Sequence, residues 1–83
     1  MKSTEIEILE ESAQAQIQSL IHQAMNKRSL TKAKVAKNMK CDRSNISYIL
    51  GGSQNLTIKT IVNILAACEF EVHFELIDRK VKT

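Results

Sequence analysis

Several residue types are scarce in this chain of 83 residues, and each scarcity excludes a class of structure. Proline and tryptophan are absent, and three aromatic residues cannot fill a core, so aliphatic side chains on packed helices must fill it. Two cysteines cannot form a disulfide framework, which favours a cytosolic (cytoplasmic) protein. No run approaches the roughly 18 apolar residues of a membrane span, and four glutamates by residue 11 exclude a signal peptide.

The length predicts a single domain over residues 1–83, near the lower limit of comfortable stability. No internal repeat, low-complexity tract or linker divides the chain. Domains of this size often gain stability by forming oligomers. We therefore expect one folded domain that gains stability by forming an oligomer.

The net charge of +3 is distributed unevenly along the chain. Residues 27–43 carry a net charge of +6, whereas residues 1–26 and 44–78 each carry −3 and residues 79–83 carry +3. A charge cluster alone indicates only a solvated face. It becomes informative where it coincides with a structural motif.

Such a motif occupies residues 31–52, TKAKVAKNMKCDRSNISYILGG, which have the spacing of a helix-turn-helix. Val35 and Met39 lie four residues apart and can face inward on one stripe of the first helix. Ala36 is small, as a close helix crossing requires, and Cys41 follows in the turn as a small apolar residue. The pattern predicts two helices in contact, joined by a short turn.

The second helix of the motif separates apolar from polar positions. Asp42 is a good N-cap residue, because its carboxylate can accept from the free N–H groups that open a helix. Ile46, Ile49 and Leu50 would form the inner face. The outer face is rich in hydrogen-bond donors: Arg43, Ser44, Asn45, Ser47 and Tyr48. A polar helix of this kind fits the major groove of DNA.

The region before the motif predicts an amphipathic helix over about residues 12–28. Its apolar positions recur at steps of three and four residues: Ala13, Ile17, Leu20, Ile21, Ala24 and Met25. The acidic lead-in, residues 1–11, contains TEIEILEE, which could extend this helix, fray, or pair as a strand. We favour a helix with a loose start.

The two helices of the motif are expected over about residues 32–39 and 43–50. Thr31 can cap the first. Gly51 and Gly52 end the second, because glycine accepts the left-handed conformation that closes helices. The paired glycines do not make a phosphate loop, since no strand precedes them and no Lys-Ser/Thr follows.

A last helix, over about residues 58–68, is predicted after its cap, Thr57. Its inward positions are expected to be Ile58, Ile61, Ile64, Leu65 and Cys68.

Residues 70–78 change from a helical period to alternation, which predicts a strand. Its outward residues would be Glu71, His73 and Glu75. A lone strand cannot satisfy its backbone, so we expect it to pair antiparallel with the same strand of a second copy across a two-fold axis. This dimerisation strand would place four apolar residues at the interface: Phe70, Val72, Phe74 and Leu76.

Residues 13–76 resemble the Cro/repressor (XRE-type) helix-turn-helix family of bacterial and phage regulators. The resemblance is carried by LTKAKVAKNMKCDRSNISYILGG, with its inward Val-Ala pair and terminal glycine, and by NLTIKTIVNILAACEF, with its threonine cap. The EVHFEL segment is similar to a subgroup that includes HigA-type antitoxins and small prophage regulators. The resemblance implies a mainly α fold, a lambda-repressor-like DNA-binding domain of four to five helices with one C-terminal β-strand.

Three positions depart from the family pattern. Lys40 stands in the inter-helix turn where the family usually has glycine, so a side chain must be tolerated at a position that is often left-handed. Glu69 replaces the glycine that commonly ends the later helix. Lys32 replaces a frequent glutamine, and lysine favours a phosphate or a guanine acceptor over bidentate contact with adenine. The operator sequence therefore cannot be taken from relatives.

Carried over position by position, the resemblance implies a set of base-reading residues: Lys32, Arg43, Ser44, Asn45 and Tyr48. Arg43 is our first choice, because a guanidinium can grip guanine bidentately; a phosphate contact is the alternative. Ser44 and Asn45 either reach bases or support the start of the helix. Tyr48 contacts a thymine methyl group or the sugar-phosphate backbone, or only packs on the surface.

A second set is expected to contact phosphates: Lys27, Arg28, Lys34, Lys37, Lys40, Ser47, Asn55 and Thr57. The basic members fit this role as a group, although each alone fits a solvated position. Asn55 can donate to a phosphate from its loop. Thr57 opens a helix whose free N–H groups favour anions.

No cofactor, metal site or catalytic arrangement is predicted. His22, His73, Cys41 and Cys68 have separations that match no common ligand pattern, and both cysteines are expected inward. No paired carboxylates, nucleophile elbow or Cys-His arrangement stands out, so we do not expect an enzyme.

These observations predict a sequence-specific regulator of transcription, a repressor that binds an inverted repeat in double-stranded DNA as a homodimer. The alternative is an antitoxin, which binds a toxin protein and represses its own operon. The acidic residues 1–26 would suit a basic toxin. A neighbouring gene for a short basic protein would favour this alternative.

Overall fold

A computed structural model describes residues 3–52 and 55–78 of the chain. It contains four α-helices in these residues: α1 Ser3–Lys27, α2 Lys32–Met39, α3 Arg43–Leu50 and α4 Ile58–Ala67. The predicted mainly helical fold is therefore confirmed. The first two residues of the acidic lead-in and the basic residues 79–83 lie outside the described residues.

The core is aliphatic, as the scarcity of aromatic residues requires. Its buried members are Ile21, Ala24, Met25, Val35, Ala36, Ile46, Ile49, Ile61, Ile64, Leu65 and Cys68. They come from all four helices and from the residue that follows α4, and no polar or charged side chain in the described part of the chain is buried with them. The inward faces predicted for α2 and α3 are confirmed by the burial of Val35 and Ala36 and of Ile46 and Ile49.

α1 is longer than the amphipathic pattern alone predicted. The TEIEILEE segment is helical rather than a strand, which agrees with the good helix propensity of glutamate and leucine. Only the second half of α1 reaches the core, where Ile17 is half-buried and Ile21 is fully buried. Leu20, although part of the apolar pattern, is 44% exposed.

Three helices end in a left-handed residue that is not glycine: Ser29 (φ 53°), Lys40 (φ 59°) and Glu69 (φ 66°). After α2, the N–H of Lys40 donates to the carbonyl of Lys37 at 3.1 Å, and the N–H of Cys41 donates to that of Ala36 at 2.9 Å. This pair of bonds defines a Schellman motif, and the other two helix ends have equivalent pairs. The left-handed conformation expected at Lys40 is confirmed.

The predicted threonine caps are confirmed, whereas the aspartate cap is not. Thr31 accepts from the N–H of Lys34 at 3.1 Å. Thr57 accepts in the same way from the N–H of Thr60. Asp42 has the extended backbone of an N-cap residue, but its carboxylate accepts no capping hydrogen bond, so that part of the prediction is wrong.

Two expectations for the C-terminal third of the chain need correction. No strand forms within the described residues, because α1 takes up the other segment with a strand pattern, which therefore cannot pair with residues 70–78. Phe70 and Val72 nevertheless pack against the core, while Phe74 and Leu76 are exposed. Ile58 is also 67% exposed rather than inward, since it is the first residue of α4.

Candidate nucleic-acid interface

The outer face of α3 is the centre of the candidate site. Ile46 is fully buried and Ile49 nearly so, which anchors one side of this short helix in the core. The five side chains predicted to face outward are all exposed: Arg43, Ser44, Asn45, Ser47 and Tyr48. Because α3 has eight residues, these side chains occupy two turns of one accessible surface.

A glutamine of α1 fixes the far end of α3. The Nε2 group of Gln18 donates to the carbonyl oxygen of Ile49 at 2.9 Å, and the N–H of Gly52 donates to the same oxygen at 3.4 Å, so two donors hold the last turn of α3. Gly52, which adopts φ 71°, lies directly beside the Gln18 side chain. Gln18 was not predicted from the sequence, where the available signal was a polar residue next to Ile17 on the inward side of an amphipathic helix.

α2 contributes a cation to the surface of α3. The Nζ atom of Lys32 donates to the hydroxyl oxygen of Ser47 at 3.4 Å, so the first residue of α2 reaches the middle of α3. Both side chains are exposed. Lys34, Lys37 and Lys40 are also exposed along α2 and the turn that follows it. The structure thus brings together Lys32, which was predicted to contact a base, and Ser47, which was predicted to contact a phosphate.

A groove extends this surface from α3 to the start of α4. It has a volume of about 420 Å³ and contains Asn45 and Tyr48 from α3, with Asn55 and Thr57 from the segment before α4. Two residues not predicted from the sequence, Thr60 and Asn63, also line it, and the rest of its lining is apolar: Met39, Cys41, Ile49 and Leu56. Four predicted site residues from two separate segments therefore share one concave surface.

The fold already uses part of the hydrogen-bonding capacity of this groove. The Oδ1 atom of Asn55 accepts from the side-chain amide of Gln14, which leaves the amide N–H groups of Asn55 for another acceptor. The hydroxyl of Thr57 caps α4 and lies 3.0 Å from the hydroxyl of Thr60. A ligand in the groove would thus meet amide and hydroxyl donors.

Two of the predicted phosphate contacts lie elsewhere. The guanidinium of Arg28 donates to the carbonyl oxygens of Cys68 and Glu69 at 3.3 and 3.2 Å, and its centre lies 4.3 Å from the middle of the Phe70 ring. Arg28 therefore stabilises the end of α4. Lys27 is nine residues from Gln18, which places the two on opposite sides of α1. The structure does not bring Lys27 or Arg28 together with the α3 surface.

The remaining candidate chemistry is limited. Among residues 3–52 and 55–78, no three histidine, cysteine, aspartate or glutamate side chains form a group that could hold a metal ion. Cys68 is buried, and this burial raises the pKa of its thiol, which disfavours the thiolate that metals bind. No helix in the described residues has the length and apolar character needed to cross a bilayer.

Comparison with protein families, curated proteins and solved structures gave no match to this chain. The interpretation of the α3 surface therefore depends on its own geometry and on the sequence motif that predicted it.

Proposed function

We propose that this chain is a sequence-specific DNA-binding regulator of transcription, a repressor of the Cro/repressor helix-turn-helix type. In this proposal α3 enters the major groove, and Arg43, Ser44, Asn45 and Tyr48 face base edges. Lys32 stands beside Ser47 at the edge of the contact and reaches a base or a phosphate.

One observation carries the proposal: an exposed polar helix face directly follows the most basic part of the chain. The two buried isoleucines of α3 hold the helix in place, so its backbone does not need to rearrange before it binds. Residues 32–43, with a net charge of +4, supply positive charge to α2 and to the start of α3. A fixed helix with exposed donors beside a basic helix is what a phosphate-flanked groove requires.

The groove between α3 and α4 supplies a second set of contacts. Asn55 and Thr57, which caps the N-terminus of α4, line the same groove as Tyr48, so a phosphate there would meet neutral polar groups and a helix dipole. Lys34, Lys37 and Lys40 would bind the opposite backbone. These contacts position the protein, whereas the α3 side chains select the sequence.

The first experiment is selection of bound fragments from a random DNA pool, followed by binding assays with the enriched sequence. Arg43→Ala should cost about 1–3 kcal/mol and relax the preference for one base pair. Arg43→Lys is the matched control, since it keeps the positive charge but removes the planar fork of donors that grips guanine, so it should lose the base preference and keep most of the affinity. If Arg43→Ala retains both the affinity and the sequence preference of the wild type, the proposed readout is wrong.

An inverted-repeat operator requires two copies of the chain. The sequence predicted that residues 70–78 pair as strands in a homodimer, and the chain leaves Phe74 and Leu76 exposed for such a contact. Phe70 and Val72, by contrast, pack against the chain's own core. Strand pairing between copies therefore stays a prediction. Only two of the four apolar residues expected at that interface are exposed for it.

An antitoxin role is the second candidate function. Its support is the exposed first part of α1, residues 4–12, which carries four glutamates and three exposed apolar residues, Ile6, Ile8 and Leu9. A basic protein encoded next to this chain and co-purifying with it after co-expression would support the role. Absence of binding between the two purified proteins would refute it for that partner.

A further inference from the structure

The first part of α1 extends beyond the body of the fold. We call residues 3–12 the overhang; they measure about 15 Å along the helix axis, and residues 4–12 are all exposed. Isolated helices of this length are marginal in water, even with good helix formers. The overhang nevertheless carries Ile6, Ile8 and Leu9, which are 43%, 60% and 42% exposed and do not belong to the buried core.

Two of these residues continue along α1 as an ordered row. The row consists of Ile6, Leu9, Ala13, Gln16 and Leu20, at alternating steps of three and four residues. We call this row the seam. Its members fall within an arc of about 80° around the helix, and all are exposed. Alternating steps of three and four are typical of a surface on which another helix packs, and one polar residue within such a row fixes the register.

The seam leads into an apolar groove at the other end of α1. This groove, about 250 Å³ in volume, is bounded by Leu20, Ala24 and Lys27 on one side and by Phe70 and Val72 on the other. Leu65 forms its floor, and Glu71 and His73 lie at its rim. One molecule therefore has an apolar projection at one end of a helix and an apolar recess at the other end.

We propose that the seam is an interface between two copies of this chain, in which two α1 helices pack antiparallel. The overhang of each copy lies in the groove of the other, so that Ile6 and Leu9 contact Leu20 and Ala24 of the second copy. Because a two-fold axis relates the two copies, each overhang fills the groove of the other copy. No overhang or groove remains open, so the assembly ends at a dimer. The seam and the groove together run from Ile6 to Lys27, about 30 Å.

Charge favours antiparallel over parallel packing of two copies. Glu5 and Glu10 flank the seam in the overhang, and Lys27 continues it at the groove. Antiparallel packing brings Lys27 beside the glutamates of the other copy at both ends, although Glu71 at the rim of the groove opposes part of this attraction. Parallel packing would instead place the glutamates of two overhangs side by side, where like charges repel. The neutral middle of α1, residues 12–21, allows close approach at the axis.

This dimer leaves the proposed DNA contact uncovered. Gln18, which holds α3, lies about 160° around α1 from the middle of the seam. A second copy on the seam therefore lies on the side of α1 away from α3. The dimer proposal does not depend on DNA binding, because an Arg43→Ala variant should keep the association state of the wild type.

Sedimentation over a concentration series, without DNA, tests the interface with two neighbouring substitutions. Leu9→Asp should raise the dimer dissociation constant about a hundredfold, because each dimer loses two buried leucines. Ile8→Asp is the matched control: it adds the same charge one residue away, at a more exposed position about 120° from the middle of the seam. Ile8→Asp should leave the dissociation constant within about threefold of the wild type.

Three results would overturn the proposal. The first is a wild-type chain that sediments as a monomer throughout the series, and the second is an equal response to Leu9→Asp and Ile8→Asp. The third is a dimer that Phe74→Asp or Leu76→Asp dissociates while Leu9→Asp does not, which would assign the interface to residues 70–78. Circular dichroism on each variant separates lost association from lost folding.

A thiol cross-link tests the direction of packing. Gln16 lies near the expected two-fold axis, so Gln16→Cys should form a disulfide-linked dimer under mild oxidation. Leu9→Cys should remain unlinked, because antiparallel packing separates its two copies by about 17 Å along the helices, whereas parallel packing would place them side by side. The native cysteines are the same in both variants, and one is buried. Cross-linking of both variants, or of neither, contradicts an antiparallel seam.

Discussion

Lys40→Gly should stabilise the fold and weaken DNA binding at the same time. Lys40 adopts φ 59° and ψ 46° at the end of α2, a left-handed conformation in which its Cβ is crowded by its own backbone. Its N–H donates to Lys37 and the next N–H donates to Ala36, so the conformation is part of the turn between α2 and α3. The native chain therefore keeps a strained lysine where glycine would be relaxed.

The magnitude follows from two opposing effects. A non-glycine residue in the left-handed region costs about 1–2 kcal/mol. Glycine loses more backbone entropy on folding, which offsets about 0.5–1 kcal/mol of the relief. The lysine side chain is exposed, so its removal leaves no cavity. The expected net gain is about 0.5–1 kcal/mol in the free energy of unfolding, or about 4 °C in Tm for a domain of this size.

Thermal unfolding and salt-dependent DNA binding measure the two effects separately. If Lys40 contacts one phosphate in each subunit, its loss should make the slope of log K against log salt shallower by about 0.9 per subunit. Lys40→Ala is the matched control, because it removes the same charge but keeps a Cβ in the left-handed position. Ser29→Gly relieves the same strain at the end of α1 and should raise Tm without changing the salt slope.

Lys40→Gly must therefore be more stable than Lys40→Ala while the two bind DNA alike. Equal Tm values for the two variants would refute the assignment of strain. Wild-type salt slopes in both would remove Lys40 from the set of phosphate contacts.

Three further predictions concern the end and start of α4 and its buried thiol. Arg28→Met should lower the free energy of unfolding by about 1–3 kcal/mol in urea, because it removes two bonds to carbonyls and a cation–π contact, while the salt slope of DNA binding stays unchanged. Thr57→Val should cost about 1 kcal/mol through loss of the cap on Thr60, measured in the same way; an unchanged urea midpoint would contradict the cap. Burial raises the pKa of the Cys68 thiol, so its contribution to stability should be complete below the ordinary thiol pKa and be lost as pH rises through the raised value; urea midpoints that stay flat across that alkaline range would contradict this.

The helix positions and the inward face of the helix-turn-helix could be predicted because local signals agree there. The start of α2 after Thr31 and of α3 after Asp42 matches the sequence pattern, as does the closure of α3 before Gly51. Apolar spacing and cap residues act within a few positions, so one sequence contains them fully. The left-handed conformation of Lys40 could be predicted because the family that the motif resembles usually has glycine at this position.

The rest depends on contacts between distant segments, which spacing does not encode. Arg28 looked like a phosphate contact by its charge, yet it binds carbonyls 40 and 41 residues away. The strand pattern of residues 70–78 was real alternation, but a strand exists only where a second extended segment provides hydrogen bonds. Leu20 fits an apolar helical period and still lies outside the core, because no other helix covers that flank of α1.

α1 is one continuous helix from Ser3 to Lys27, so the overhang is rigidly connected to the part of α1 that contacts α3. One extra residue between Ala13 and Ile17 would rotate the overhang by about 100° and advance it by about 1.5 Å, while Gln18 would still hold α3. If two copies pair along the seam as proposed, such an insertion would change which copies can pair while the outer face of α3 stays as it is.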